Sequence, residues 1–186
     1  STKEMTVLTT KGAENLEKTL ESLQERDLKI SRLQDAVNKK DSVTLAIVSS
    51  LKKSVGIDDP DIEINVEKGV VYVSISDKLL FNSGSFTVTT RAKKVLEKIA
   101  KVISDKPDLE FMVEGHTDNM LIDQEKAAET IPGVLDNWDL SVKRATSVVR
   151  ILQNDYGVDP TKLVAAGRSF YMPIADNDSS VSRAVN

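Results

Sequence analysis

Gly115-His116-Thr117-Asp118-Asn119 closes an apolar run that begins at Leu109, and Asn137-Trp138-Asp139-Leu140-Ser141-Val142-Lys143-Arg144-Ala145 comes further along the chain. The first stretch reads as a strand, Leu109 to Val113, that delivers a carboxylate beyond its end. The second reads as a helix. At about 100° per residue, Leu140, Ala145, Val148, Val149, Ile151 and Leu152 share one side, while Lys143, Thr146, Ser147 and Arg150 take the other. Arg144 falls between Leu140 and Val148, on the apolar side. An arginine there needs an acidic partner or an anionic ligand, because an unpaired buried charge costs several kcal/mol. Asp118 is the expected neighbour.

Upstream, Ile62, Ile64 and Val66 alternate with Asp61, Glu63 and Asn65, and Val71, Val73 and Ile75 alternate again after Lys68-Gly69, which predicts a hairpin. Leu79-Leu80-Phe81 leads into Asn82-Ser83-Gly84-Ser85, residues that tolerate unusual backbone angles. Thr89 or Thr90 caps a helix with Ala92, Val95, Leu96, Ile99, Val102 and Ile103 on one stripe, stopped near Pro107. Lys162 to Ala166 is a further short strand. The order predicts an α/β (α+β) sandwich, β-α-β-α-β, with helices on one face of a mixed sheet.

Gly56 to Pro60 marks the expected boundary between a helical stalk, residues 1–55, and a globular domain, residues 56–186. From about Ala13 to Leu51 the stalk has no proline and no glycine; Leu16, Leu23, Ile30, Val37, Thr44 and Leu51 recur every seven residues. Leu33 and Ile47 fill some positions between them, whereas Thr19, Arg26 and Lys40 interrupt the seam. The pattern predicts a coiled coil and a homodimer through this helix; a helix packed on its own domain is the alternative.

The 186 residues are 40% hydrophobic and 29% charged, enough for a real core, and the formal charge of -4 argues against a nucleic-acid binder that relies on a basic surface. Without cysteine there is neither a disulfide framework nor a thiolate metal site. No apolar run approaches a membrane span, so membrane attachment is expected only through a segment outside this sequence.

Glu114, His116 and Asp118 lie two apart and would share one face of a continuing strand, as an acid/base or metal cluster could. With a single histidine the closely spaced pairs of familiar zinc motifs cannot form, and neither a nucleophile elbow nor a phosphate loop is present. A hydrogen-bonded structural histidine is the expectation, with no catalytic residue, metal or cofactor. Asp118 and Arg144 make better sense as a recognition pair: the carboxylate takes an ammonium and the planar guanidinium takes a carboxylate, which together grip a zwitterion. The alternative is that the two side chains merely satisfy each other as a salt bridge.

In order along the chain, Phe81-Asn82-Ser83-Gly84-Ser85, Gly115-His116-Thr117-Asp118, Asn137-Trp138-Asp139-Leu140-Ser141 with Arg144-Ala145, then Gly157-Val158, Ala166-Gly167, Pro173, Asn177 and Arg183-Ala184-Val185-Asn186 resemble the OmpA-like C-terminal domain family. That family includes the peptidoglycan-binding modules of OmpA, MotB and peptidoglycan-associated lipoproteins, and the resemblance covers about Val70 to Asn186. It implies a non-enzymatic domain in which Asp118 and Arg144 bind the ammonium and carboxylate of diaminopimelate in the stem peptide. It further implies that Phe81, Asn82, Ser83, Gly84, Thr117, Asn119, Asn137, Leu140, Arg183 and Asn186 shape or line the pocket. The implied setting is the periplasm of a Gram-negative bacterium, with the outer membrane or an envelope complex held to the wall. Met120 to Asp136 is longer than in the short OmpA form and closer to the MotB spacing. The resemblance also calls for a final strand after Asn186. A wall hydrolase using Glu114, His116 and Asp118, or a coiled-coil scaffold without a ligand, are the rival readings.

Overall fold

The computed structural model describes residues 2–56, 59–82, 85–123, 125 and 131–173. The expected Ser83, Gly84, Arg183 and Asn186 therefore lie outside the described residues, as does Asn177. The chain divides into two compact units, residues 1–46 and 47–186.

Helix α1, Thr2–Val55, runs through the first unit and ends in the second. It starts well before Ala13 because nothing upstream breaks it: there is no proline, and Gly12 is the only glycine. Leu16, Leu23, Ile30 and Leu33 of the apolar seam are exposed on a single chain, as are Leu20 and Leu28 beside it, consistent with a coiled coil, whereas Leu51 at the end of the seam is buried. No described helix is long and apolar enough to cross a membrane.

In the second unit, Leu51 and Val55 from the last turns of α1 are buried. Strands β1, Ile62–Glu67, and β2, Val70–Ile75, pair antiparallel with Glu67 opposite Val70. The turn between them holds Lys68 at φ 50° and Gly69 at φ 77°, the left-handed pair that tight hairpins favour because it matches the strand twist. Asp61 ties the hairpin to the two helices after it: it accepts from Ser76 Oγ at 2.9 Å and pairs with Lys78 Nζ at 3.1 Å and Arg91 Nη1 at 3.6 Å. Burial pushes its carboxyl up, but these hydrogen bonds and charges outweigh burial and hold it below its ordinary value.

A four-residue helix, α2, Asp77–Leu80, leads to Phe81, which bridges to Val88 across the loop. Thr89 then caps α3, Thr90–Ser104, accepting from the Ala92 amide at 3.1 Å while its hydroxyl donates to the Leu79 carbonyl. After β3, Phe111–Gly115, comes α4, Asn137–Asn154, capped by Asp136, whose side chain accepts from the Asp139 amide. A single 3-10 turn, Pro160–Lys162, opens into β4, Leu163–Gly167, which pairs parallel with β3 so that Gly115 lies opposite Gly167. Both directions of the expected mixed sheet are present; among the described residues the antiparallel and parallel pairs form two separate two-stranded sheets.

The main core joins Val55, Ile62, Leu79, Phe81, Val88, Ala92, Leu96, Ala100, Ile103, Val148, Leu152 and Val158. The apolar stripes of α3 and α4 meet in it. A smaller cluster of Ile131, Val134 and Leu140, backed by Phe86 and Ile122, packs the segment before α4.

The opposed glycines are what bring α4 down onto the strand ends. A Cβ on Gly115 would strike the Ser141 carbonyl, with the Ser141 carbonyl carbon at 2.9 Å; one on Gly167 would strike the Ser141 hydroxyl and stand 2.8 Å from the Val142 amide nitrogen. Ser141, wholly buried, fills that slot, donating to the Trp138 carbonyl at 2.9 Å and accepting from the Ser169 amide at 3.2 Å. The Arg168 amide donates to the Gly115 carbonyl and the Thr117 amide to the Ser169 carbonyl, both at 2.9 Å. Ser169, at φ 54°, takes a left-handed conformation to make this closure. The loop after β3 is thus fixed to the loop after β4 and to the first turns of α4.

Candidate functional site

Arg144 emerges from the second turn of α4 on the side that faces the core, as the helical spacing requires, and its side chain is 7% exposed. Its direct acidic partner is Asp77, the first residue of α2: Nη1 lies 2.9 Å from Asp77 Oδ1. Nε donates to the Ser85 carbonyl at 3.2 Å, and the Phe81 ring centroid is 5.0 Å from the guanidinium carbon. A buried, always-charged fork is thereby held from three sides. The salt bridge that Arg144 makes, which the alternative reading gave to Asp118, goes to Asp77, because α2 carries its carboxylate to the buried face of α4.

Asp118 stands near enough for its charge to act on both members of that pair. Burial pushes the Asp77 carboxyl up; Arg144 pulls it back, and the charge of Asp118 adds to the upward push. Burial likewise pulls the Arg144 guanidinium down, opposed by Asp77 and then Asp118. Two carboxylates thus share the field of one guanidinium. Asp118 is partly exposed and is aimed by its loop: its Oδ1 accepts from the Met120 amide at 3.0 Å.

Asn137 supports that loop from the first turn of α4. It is buried, and its Nδ2 donates to the carbonyls of Asp118 at 3.3 Å and Met120 at 3.0 Å. Its Oδ1 is buried without a partner among the described residues. Thr117 is also buried, its hydroxyl donating to the Asp118 carbonyl at 3.1 Å. Among the other expected residues, Phe81 underlies Arg144, Leu140 belongs to the smaller core cluster, and Asn82 and Asn119 are exposed.

Glu114 and His116 form a different cluster. His116 Nε2 is 3.0 Å from Glu114 Oε1, its Nδ1 is 2.9 Å from the Met172 carbonyl, and Arg168 Nε donates to Glu114 Oε2 at 2.9 Å. Both imidazole nitrogens and both carboxylate oxygens have partners, so the group acts as a clasp between the ends of β3 and β4. Asp118 is not part of it, and among the described residues no three His, Asp or Glu side chains are grouped to hold a metal.

Nothing in the sequence pattern singles out Asp77, which follows the cap residue Ser76 at the end of β2 and opens a helix too short to show a period. An acidic residue in the first turn of a helix is ordinarily explained by the helix dipole alone.

The OmpA family profile matches residues 80–186. Outer membrane protein Omp38 of Acinetobacter baumannii is 34% identical over 109 residues, 59% of this chain and 28% of that protein. The chain therefore spans less than a third of that curated relative. Among solved structures, the cell wall anchor of the T6SS from Pseudomonas aeruginosa is 29% identical with a TM-score of 0.55, covering 68% of this chain and 82% of that one. A MotB-like protein from Desulfovibrio vulgaris shares the fold at 20% identity with a TM-score of 0.67, covering 81% of this chain and 88% of its own.

Proposed function

Because the chain belongs to the OmpA family, we propose that its globular domain holds peptidoglycan non-covalently, through the diaminopimelate of the stem peptide, and anchors an outer membrane or envelope complex to the cell wall. The observation that carries this reading is the buried, pre-oriented Arg144 with the partly exposed Asp118 beside it. The description of a T6SS relative as a cell wall anchor, and of another relative as an outer membrane protein, supports a periplasmic setting at the envelope of a Gram-negative bacterium.

In this reading Asp118 accepts the ammonium of the free amino-acid centre and Arg144 donates to its carboxylate. Ser85 and Phe81 hold the guanidinium so that little side-chain entropy is lost on binding. Asn137 fixes the carbonyls behind Asp118, so its carboxylate stays aimed. The described residues offer recognition groups; Glu114 and His116, the acid/base candidates of the hydrolase reading, are tied into their clasp.

Titration with a diaminopimelate-containing muropeptide, with products analysed, tests the proposal. Saturable binding without cleavage is expected. Asp118→Ala or Arg144→Lys should each weaken it by about 2–5 kcal/mol, roughly thirtyfold to several-thousandfold, since each leaves a ligand charge unpaired or lacks the planar fork that reads it. Cleavage of the muropeptide, or unchanged affinity in folded variants, contradicts the proposal.

A further inference from the structure

We propose that Asp77 is a specificity-determining residue of this site: it keeps Arg144 engaged so that a carboxylate binds there only when an ammonium on the same molecule accompanies it. The inference rests on the zwitterion reading above and names what enforces it.

Asp77, Asp118 and Arg144 leave the empty site with one negative charge in excess. A carboxylate arriving alone must share the guanidinium with Asp77, 2.9 Å from Nη1, and also face Asp118. It meets two like charges for one opposite charge. An ammonium carried on the same molecule reverses the balance by engaging Asp118 and offsetting Asp77. The ion pair is not buried to the same depth on both sides: the Asp77 side chain is 23% exposed against 7% for Arg144. Asp77 is thus the more exposed member of the pair, and a group that engages Arg144 meets its carboxylate 2.9 Å from Nη1. Its carboxyl is displaced upward by burial and, to a lesser degree, by the charge of Asp118, despite the guanidinium beside it.

The test uses the full chain and two peptides, one carrying diaminopimelate and one in which its free amino group is replaced by hydrogen. In the parent protein the loss of the ammonium should weaken binding about thirtyfold or more. Asp77→Asn, by removing one opposing charge, should raise affinity for the deaminated peptide and shrink that discrimination by about tenfold. A discrimination ratio unchanged in folded Asp77→Asn overturns this inference alone. If the parent protein fails to bind the diaminopimelate peptide at all, both this inference and the proposed function fall. Should Asp77→Asn not fold, Asp77→Glu supplies the converse test, since it keeps the charge: the ratio should remain within about threefold of the parent's, and its loss in a folded protein contradicts a role for the charge.

Discussion

A single methyl group at Gly115 would be forced into the backbone carbonyl of Ser141, where no flexible side chain can yield. Gly115→Ala should therefore cost about 1–3 kcal/mol or prevent folding, because relief requires lifting α4 from the ends of β3 and β4. Gly12→Ala is the control: nothing lies within 4 Å of its added Cβ, and a glycine inside a helix costs about 0.8–1.0 kcal/mol relative to alanine, so it should stabilise α1. Thermal melts compare the two, and a Gly115→Ala melting temperature equal to the parent's contradicts the close-packing account. The glycine is legible as part of the Gly115-His116-Thr117-Asp118 motif, but its reason is not, because the Ser141 backbone reaches it only through tertiary packing. Arg144 shows the same division. Helical spacing alone puts it among Leu140, Ala145 and Val148, yet the residue that pairs with it sits at the start of a helix four residues long.

Regular elements are most legible where one face is buried and the period is long enough to see. The alternation of β1 and β2, the Lys68-Gly69 turn, the Thr89 cap and the stripes of α3 and α4 all obey local rules. Strands β3 and β4 end further along than the apolar runs suggest, at Gly115 and Gly167, because their parallel pairing with each other sets their limits. Helix α1 carries the largest unmet demand: Leu16, Leu23 and Ile30 are 67%, 53% and 54% exposed along one seven-residue repeat. Pairing with the same seam of a second copy would bury them, so sedimentation should show a dimer. Leu23→Asp together with Ile30→Asp should give a monomer. A parent protein that sediments as a monomer at all concentrations contradicts a self-pairing stalk.

For the molecule as a whole, a stalk that pairs and a domain that grips the wall would reinforce each other, since linking two weak binding sites raises their effective concentration without any new contact. The charge of -4 suits a ligand recognised by a local, paired arrangement rather than by long-range attraction to a polyanion. On the proposed function the domain discriminates one amino-acid centre, and Asp118, Arg144 and Asp77 are the opposed charges that would do so. Calorimetry on the parent protein with two stem peptides, identical except that one carries diaminopimelate and the other lysine, tests this most directly. The lysine peptide keeps the ammonium and lacks the carboxylate beside it. Binding of the diaminopimelate peptide at least about thirtyfold tighter is the predicted result, and equal affinity for the two would contradict the assignment of Arg144 as the reader of that carboxylate.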